Sequence, residues 1–168
     1  MIKRISALAL SAALALSALP AAAQSALNDI LDGGVLRVGT TGDWNPMSVK
    51  DPATNSYKGF DIDVMEALAG DLGVKLEFVP TDWKTLVNGV VAGKYHMTGS
   101  ASISPARMKV AGFSESYIAV EILPFTTADK VDRFAGWDSV NMDGVTVATT
   151  LGTTFEKYAK TWFPNAEI

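Results

Sequence analysis

The chain has 168 residues, of which 14 are basic and 18 acidic, with one histidine, no cysteine and a net charge of −4. An acidic chain excludes nucleic acid as a partner, because that binding takes clustered Lys and Arg; without cysteine there is neither a disulfide framework nor thiol chemistry. His96 alone supplies too little for a histidine-rich metal site or a serine–histidine–acid triad, so no metal or cofactor is expected and His96 reads as a surface residue.

The chain opens with Lys3 and Arg4, an apolar run from Ile5 to Leu19, Pro20 and the tract Ala21-Ala22-Ala23. That is the layout of a secretory signal peptide, residues 1–23, cleaved after Ala23. The run is too short for a membrane anchor, which takes about 20 apolar residues. Export without disulfides fits a bacterial periplasm.

"ALNDILDG" (26–33) reads as a short helix ending at glycine, and "VLRVGT" (35–40) as a strand. "TGDWNPMSVKDPATNSYKG" is dense in Gly, Pro, Asn and Asp, hence a loop with room for a small hairpin. In "DIDVMEALAGDLG", Ile62, Met65, Leu68 or Ala69, and Leu72 recur at helical spacing, with Asp61 as the expected cap and Gly73 as the stop. "VKLEFV" (74–79) alternates as a strand. "TDWKTLVNGVVAG" repeats the helix pattern, with Thr81 or Asp82 as cap and Gly93 as stop, and a third short strand is expected near Tyr95 to Thr98.

Strands alternating with helices imply an α/β fold with a parallel sheet covered on both faces. Ligands in such folds collect at the carboxyl ends of the strands, here loops 40–46, 80–83 and 98–107. "YIAVEILPFTTAD" (117–129) is a long extended run, and Pro124 makes it a connecting or edge strand. "RFAGWDSVNMDG" is turn-rich and "VTVATT" (145–150) reads as a strand. "LGTTFEKYAKTWF" reads as a helix with Phe155, Tyr158, Ala159 and Trp162 on one face. A strand starts near Ala166, so the chain is expected to stop inside a βαβ unit.

The stretches "VLRVGTTGDWNPM", "YKGFDIDVMEALAGDLGVKLEFV", "SISPARMKVAGFSESY" and "VTVATTLGTTFEKYAK", in this order behind a signal peptide, resemble the periplasmic solute-binding proteins that deliver polar amino acids to ABC importers. The resemblance runs from about Val35 to Lys160. It implies the two-lobed type II periplasmic binding protein fold, closing on ligand by hinge motion and truncated here within the second lobe. Lobe one would cover residues 24–121, with a crossing strand near 119–128 and the incomplete second lobe within 122–168. An aspartate that pairs with a ligand's α-ammonium in this family would fall in the missing part.

By the same resemblance Arg107, five residues after Ser102, is the carboxylate-binding arginine. Its planar fork of donors matches a carboxylate bidentately, as a lysine cannot. Ser102 and the backbone around Gly99 and Ser100 would add hydrogen bonds. Trp44 stands where the family carries an aromatic that stacks on the ligand side chain, and Trp83 occupies a similar loop; two tryptophans suit a planar or apolar ligand body. Thr153, Thr154 and Glu156 form a capping box, with Glu156 reaching back to the amide of Thr153, at a helix N-terminus favourable to an anion. In the family the second threonine donates to the ligand carboxylate.

What the resemblance implies is a periplasmic, monomeric binding protein that captures an amino acid or similar small carboxylate and docks on an ABC permease. One branch of the fold, the secreted cyclohexadienyl dehydratases, instead converts prephenate or arogenate, and "TTGDWNP", "GFDID" and "VPTDW" resemble that branch. There Glu156 would be the general acid. A periplasmic sensor domain is a third reading. The sequence departs from common family patterns at His96, where Asp often follows "GKY", and at Gly112, often acidic or bulkier.

Overall fold

The computed structural model describes residues 26–168; the expected signal peptide lies outside them. Helix α1 (Ala26–Gly33) leads into strand β1 (Val35–Thr40), both over the predicted residues. A small antiparallel sheet follows, β2 (Asp43–Trp44), β3 (Ser48–Lys50) and β4 (Tyr57–Lys58), in the segment read as a loop with a hairpin. Helix α2 (Phe60–Leu72), strand β5 (Lys75–Pro80), helix α3 (Leu86–Val91) and strand β6 (Met97–Thr98) complete the first α/β unit.

The central sheet is parallel, in the order β5-β1-β6. Its register runs from Val35 beside Lys75 to Thr40 beside Pro80, with Val38 beside Met97 on the other edge. Alternation along β1 sends Leu36 and Val38 to one face, where they pack with Ile30 of α1 and Met65 and Ala69 of α2. The opposite face carries Gly39, where a Cβ would run into the ring of Tyr95. Tyr95 is buried and donates from its hydroxyl to the Leu86 carbonyl at 2.6 Å, tying α3 beneath that face. Both faces are thus covered, as a parallel sheet requires. His96 is half-buried rather than a free surface residue: its Nδ1 accepts from the Arg37 amide at 3.0 Å. Burial and the neighbouring Arg37 lower its pKa, which keeps the ring neutral for that role.

The helix ends differ from the sequence reading in instructive ways. Gly73, in left-handed conformation, closes α2 as expected by donating to Ala69 and Gly70. Asp61, however, does not cap the start. The N-cap is Gly59, at φ +131°, and the amides of Phe60 and Asp61 donate to the carbonyls of Pro46 and Met47 at 3.1 and 2.9 Å. A Cβ at Gly59 would strike those carbonyls, so the close approach needs glycine. For α3 the cap position is Thr85; Asp82 instead accepts the Thr85 amide at 2.8 Å in the turn before the helix, and Thr81 does not cap it.

Beyond a four-residue helix α4 (Pro105–Met108), residues 118–127 form neither helix nor strand, and the expected connecting or edge strand has no pairing partner among the described residues. Apolar composition favours a strand, but the ladder requires a partner. Phe125 is 98% exposed, as expected of such an unpaired run. After a 3₁₀ turn (Ala128–Arg133) and a short helix α5 (Trp137–Val140), the predicted strand 145–150 is reduced to a parallel bridge between Thr146 and Glu167. Val147 donates to Glu167 at 2.7 Å and Glu167 to Val145 at 2.8 Å. Helix α6 (Thr154–Trp162) links the two bridge partners and buries Ala159 against Val140, Val145 and Phe163, a second small core. The predicted apolar face of α6 is divided: Tyr158 and Trp162 stack on each other, and Phe155 turns toward Trp44.

Candidate functional site

The carboxyl ends of β1 and β5, the segment after β6, and the N-terminus of α6 border an open cleft. Trp44, Trp83, Ser100, Ser102, Arg107, Thr153 and Thr154, all singled out in the sequence, line it, together with Asp43, Thr150 and Phe155. Gly99 falls instead in an adjoining narrower cleft that shares Trp83 and Ser100.

Arg107 lies on α4, whose N-cap Ser104 accepts the Arg107 amide at 3.4 Å. Its guanidinium donates through Nη1 to the Ser102 carbonyl at 3.0 Å and through Nη2 to the Gly152 carbonyl at 3.5 Å. Burial lowers its pKa, though a guanidinium remains charged at any physiological pH. Among the described residues no carboxylate forms a salt bridge with it. A desolvated cation with donors to spare is arranged for an anion from outside the chain.

The wall opposite is the first turn of α6. Thr153 caps it, accepting the Glu156 amide at 3.3 Å, while its own hydroxyl donates to the Thr150 carbonyl at 2.7 Å. Thr154 is buried and donates to the Ser102 hydroxyl at 3.1 Å. Gly152 packs so closely on Lys84 that a Cβ would meet the Lys84 backbone, and its φ of +79° also favours glycine. These contacts hold the α6 turn against the loops of the parallel sheet.

Glu156 departs from the expected capping box by one residue: its Oε2 accepts from the Gly152 amide at 2.7 Å, not from Thr153. Its Oε1 accepts from Lys160 at 2.6 Å, an i,i+4 pair in the favourable orientation. Lys160 first, then the Gly152 amide, hold its carboxyl below the ordinary glutamate value. It does not line the cleft.

Three aromatic rings form the remaining side. Trp44 meets Trp83 edge-on at 5.5 Å and Phe155 edge-on at 6.3 Å. Trp83 is oriented by its Nε1, which donates to Asp43 at 2.9 Å. Sequence reasoning missed Asp43, Thr150 and Phe155. Asp43 adjoins Trp44 in "GDWNP" and its polarity in an aromatic loop was an available signal; Phe155 had been assigned to the apolar face of its helix.

Residues 36–163 match the bacterial extracellular solute-binding proteins, family 3. The chain is 37% identical over 165 residues to cyclohexadienyl dehydratase of Pseudomonas aeruginosa, covering 98% of this chain and 61% of that protein. It is 28% identical to the L-cystine-binding protein TcyA of Bacillus subtilis, covering 75% and 46%. Among solved structures it resembles the ancestral amino acid-binding protein AncCDT-1, a precursor of cyclohexadienyl dehydratase, with a TM-score of 0.77 and 40% identity over 86% of this chain and 63% of that one. It likewise resembles an amino acid ABC transporter substrate-binding protein from Streptococcus pneumoniae bound to L-arginine, with a TM-score of 0.78 and 28% identity over 86% and 60%. The chain therefore spans about half to three-fifths of the length of these relatives. Its fold is the α/β fold of periplasmic binding proteins, and the chain belongs to family 3 of the bacterial extracellular solute-binding proteins.

Proposed function

We propose that the protein is a periplasmic binding protein that captures an amino acid by its α-carboxylate and presents it, as a monomer, to an ABC permease. The observation that carries this reading is Arg107: a half-buried guanidinium in the cleft, without an internal carboxylate among the described residues. The ligand carboxylate takes the Arg107 fork and faces the N-terminal turn of α6, where the helix dipole favours negative charge. The ligand side chain lies among Trp44, Trp83 and Phe155. Aromatic faces beside the Asp43 carboxylate suit a planar cation such as a guanidinium, and the S. pneumoniae relative bound to L-arginine supports that class. Residues 24–121 would act as one lobe and residues beyond 122 as part of the other, with 119–128 crossing between them.

Calorimetric titration with a panel of L-amino acids tests this reading. Binding of arginine or lysine at micromolar concentration or below is expected; a flat response across the panel would overturn it.

The similarity to the Pseudomonas dehydratase favours a second reading, in which Glu156 protonates the departing hydroxyl of prephenate, releasing water, as the ring carboxylate leaves as carbon dioxide and phenylpyruvate forms. A general acid must carry a proton near neutral pH. Glu156, held ionised by Lys160 and the Gly152 amide, is set for capping instead. Phenylpyruvate formation from prephenate that disappears in Glu156→Gln would reverse the choice.

A further inference from the structure

We propose that Asp61 and Tyr117 form a positioning pair that fixes Ser100 in the binding cleft, so that ligand affinity depends on two groups that lie outside the main cleft. This rests on the binding-site reading above. Asp61 is only 5% exposed, yet its carboxylate neither caps α2 nor meets a lysine or arginine among the described residues. It accepts a short hydrogen bond from the Ser100 hydroxyl on one oxygen and one from the Tyr117 hydroxyl, at 2.9 Å, on the other. The Tyr117 oxygen in turn accepts from the Ser100 amide at 3.4 Å. Ser100 is thus gripped at its side chain and its backbone by one circuit closed through Asp61.

Two backbone features show what the circuit is holding. Ser100 has φ +53°, a left-handed conformation costly for a residue with a Cβ unless its surroundings impose it. Beside it, a Cβ at Gly99 would stand 2.9 Å from the Asp61 carboxylate, so only glycine leaves room for the acid to reach Ser100. The Tyr117 phenol, pushed up to about 12 by burial and by Asp61, stays a donor at every physiological pH.

The choice of a carboxylate has a chemical consequence. Burying an acid against hydroxyls alone is a poor way to gain stability. Both hydroxyls donate to Asp61, however, so the Ser100 proton is committed to that carboxylate and only lone pairs on the Ser100 oxygen are left free. Ser100 lines the main cleft. Its oxygen therefore offers an acceptor to an N–H of the ligand, complementing the donors of Arg107. Tyr117 carries the arrangement to the unpaired segment that begins at residue 118.

The test is a double-mutant cycle on the purified protein, reading L-arginine affinity by calorimetry. Tyr117→Phe is expected to raise Kd about tenfold, equivalent to about 1.4 kcal/mol. In a Ser100→Gly background, where glycine takes the positive φ freely and has no hydroxyl to orient, the same change should alter Kd less than twofold. Asp61→Asn, which keeps one acceptor but sets a donor against one of the two hydroxyls, should weaken binding at least as much as Tyr117→Phe; if it fails to fold, the Tyr117 and Ser100 variants still decide. A merely structural role would give equal losses in both backgrounds, and that additivity would overturn the proposal, as would Tyr117→Phe binding within twofold of the wild type. Should neither the wild type nor Arg107→Ala bind arginine, the site reading fails and the positioning pair is judged by hydrogen exchange in the free protein. Faster exchange confined to residues 100–102 in Tyr117→Phe supports it, and unchanged exchange rejects it.

Discussion

Replacing Arg107 by alanine separates ligand recognition from folding, because the two roles of its guanidinium differ in size. Within the protein it makes one hydrogen bond of ordinary length, to Ser102, and one at the limit, to Gly152. Both acceptors are neutral carbonyls, and losing them is partly offset by removing a half-buried charge. A stability cost of about 1 kcal/mol follows. A ligand carboxylate would instead take two charge-assisted bonds from the fork, each worth about 1.5–3 kcal/mol. Taking both at the low end, Arg107→Ala should weaken binding by about 3 kcal/mol, or roughly 150-fold in Kd. Arg107→Lys keeps the charge but loses the fork and should fall between, near tenfold. Titration calorimetry with L-arginine reads the affinity, and a thermal melt of the same samples reads the fold. If Arg107→Ala bound within twofold of the wild type, or if its Tm collapsed while the affinity of the folded fraction held, the assignment of Arg107 to the ligand would be refuted.

Three further results follow from the packing. Glu156 has a depressed carboxyl pKa in the folded state, so its contribution to stability is present above its unfolded value of about 4.5 and lost as pH falls through the folded value. The Tm difference between wild type and Glu156→Gln should therefore be visible at pH 7 and shrink as pH falls below about 4.5; a difference independent of pH would contradict the pairing with Lys160 and Gly152. Gly89→Ala drives a Cβ into the hydroxyl and ring of Tyr95 and should destabilise by about 1–3 kcal/mol in denaturant melts, despite the helix preference for alanine. Gly70→Ala, on α2 with open space around it, should instead stabilise by about 0.5–1 kcal/mol in the same assay.

Much of the first α/β unit was legible because local patterns and tertiary demands agree there. Alternation in "VLRVGT" and the 3.6-residue spacing of Ile62, Met65, Ala69 and Leu72 reflect surfaces that do face the core. Arg107 and the threonines of α6 were legible through motif and through the chemistry of a helix start. What escaped depends on partners distant in sequence. Asp61 looked like a helix cap, yet its carboxylate is claimed by Ser100 and Tyr117, 39 and 56 residues away. Residues 118–127 carry the composition of a strand, but composition cannot supply the neighbouring strand that completes one. Glu156 matched a capping box in type, and the amide it reaches, one residue earlier, is decided by the turn that Gly152 makes over Lys84.

On the proposed function, an α-carboxylate held by Arg107 is what the cleft recognises. Comparing L-arginine with agmatine, which has the same side chain and amine but no carboxylate, measures that group alone. Agmatine is expected to bind at least about a hundredfold more weakly, in keeping with the loss of two charge-assisted bonds. Agmatine binding as tightly as arginine would contradict it and move recognition to the aromatic side of the cleft.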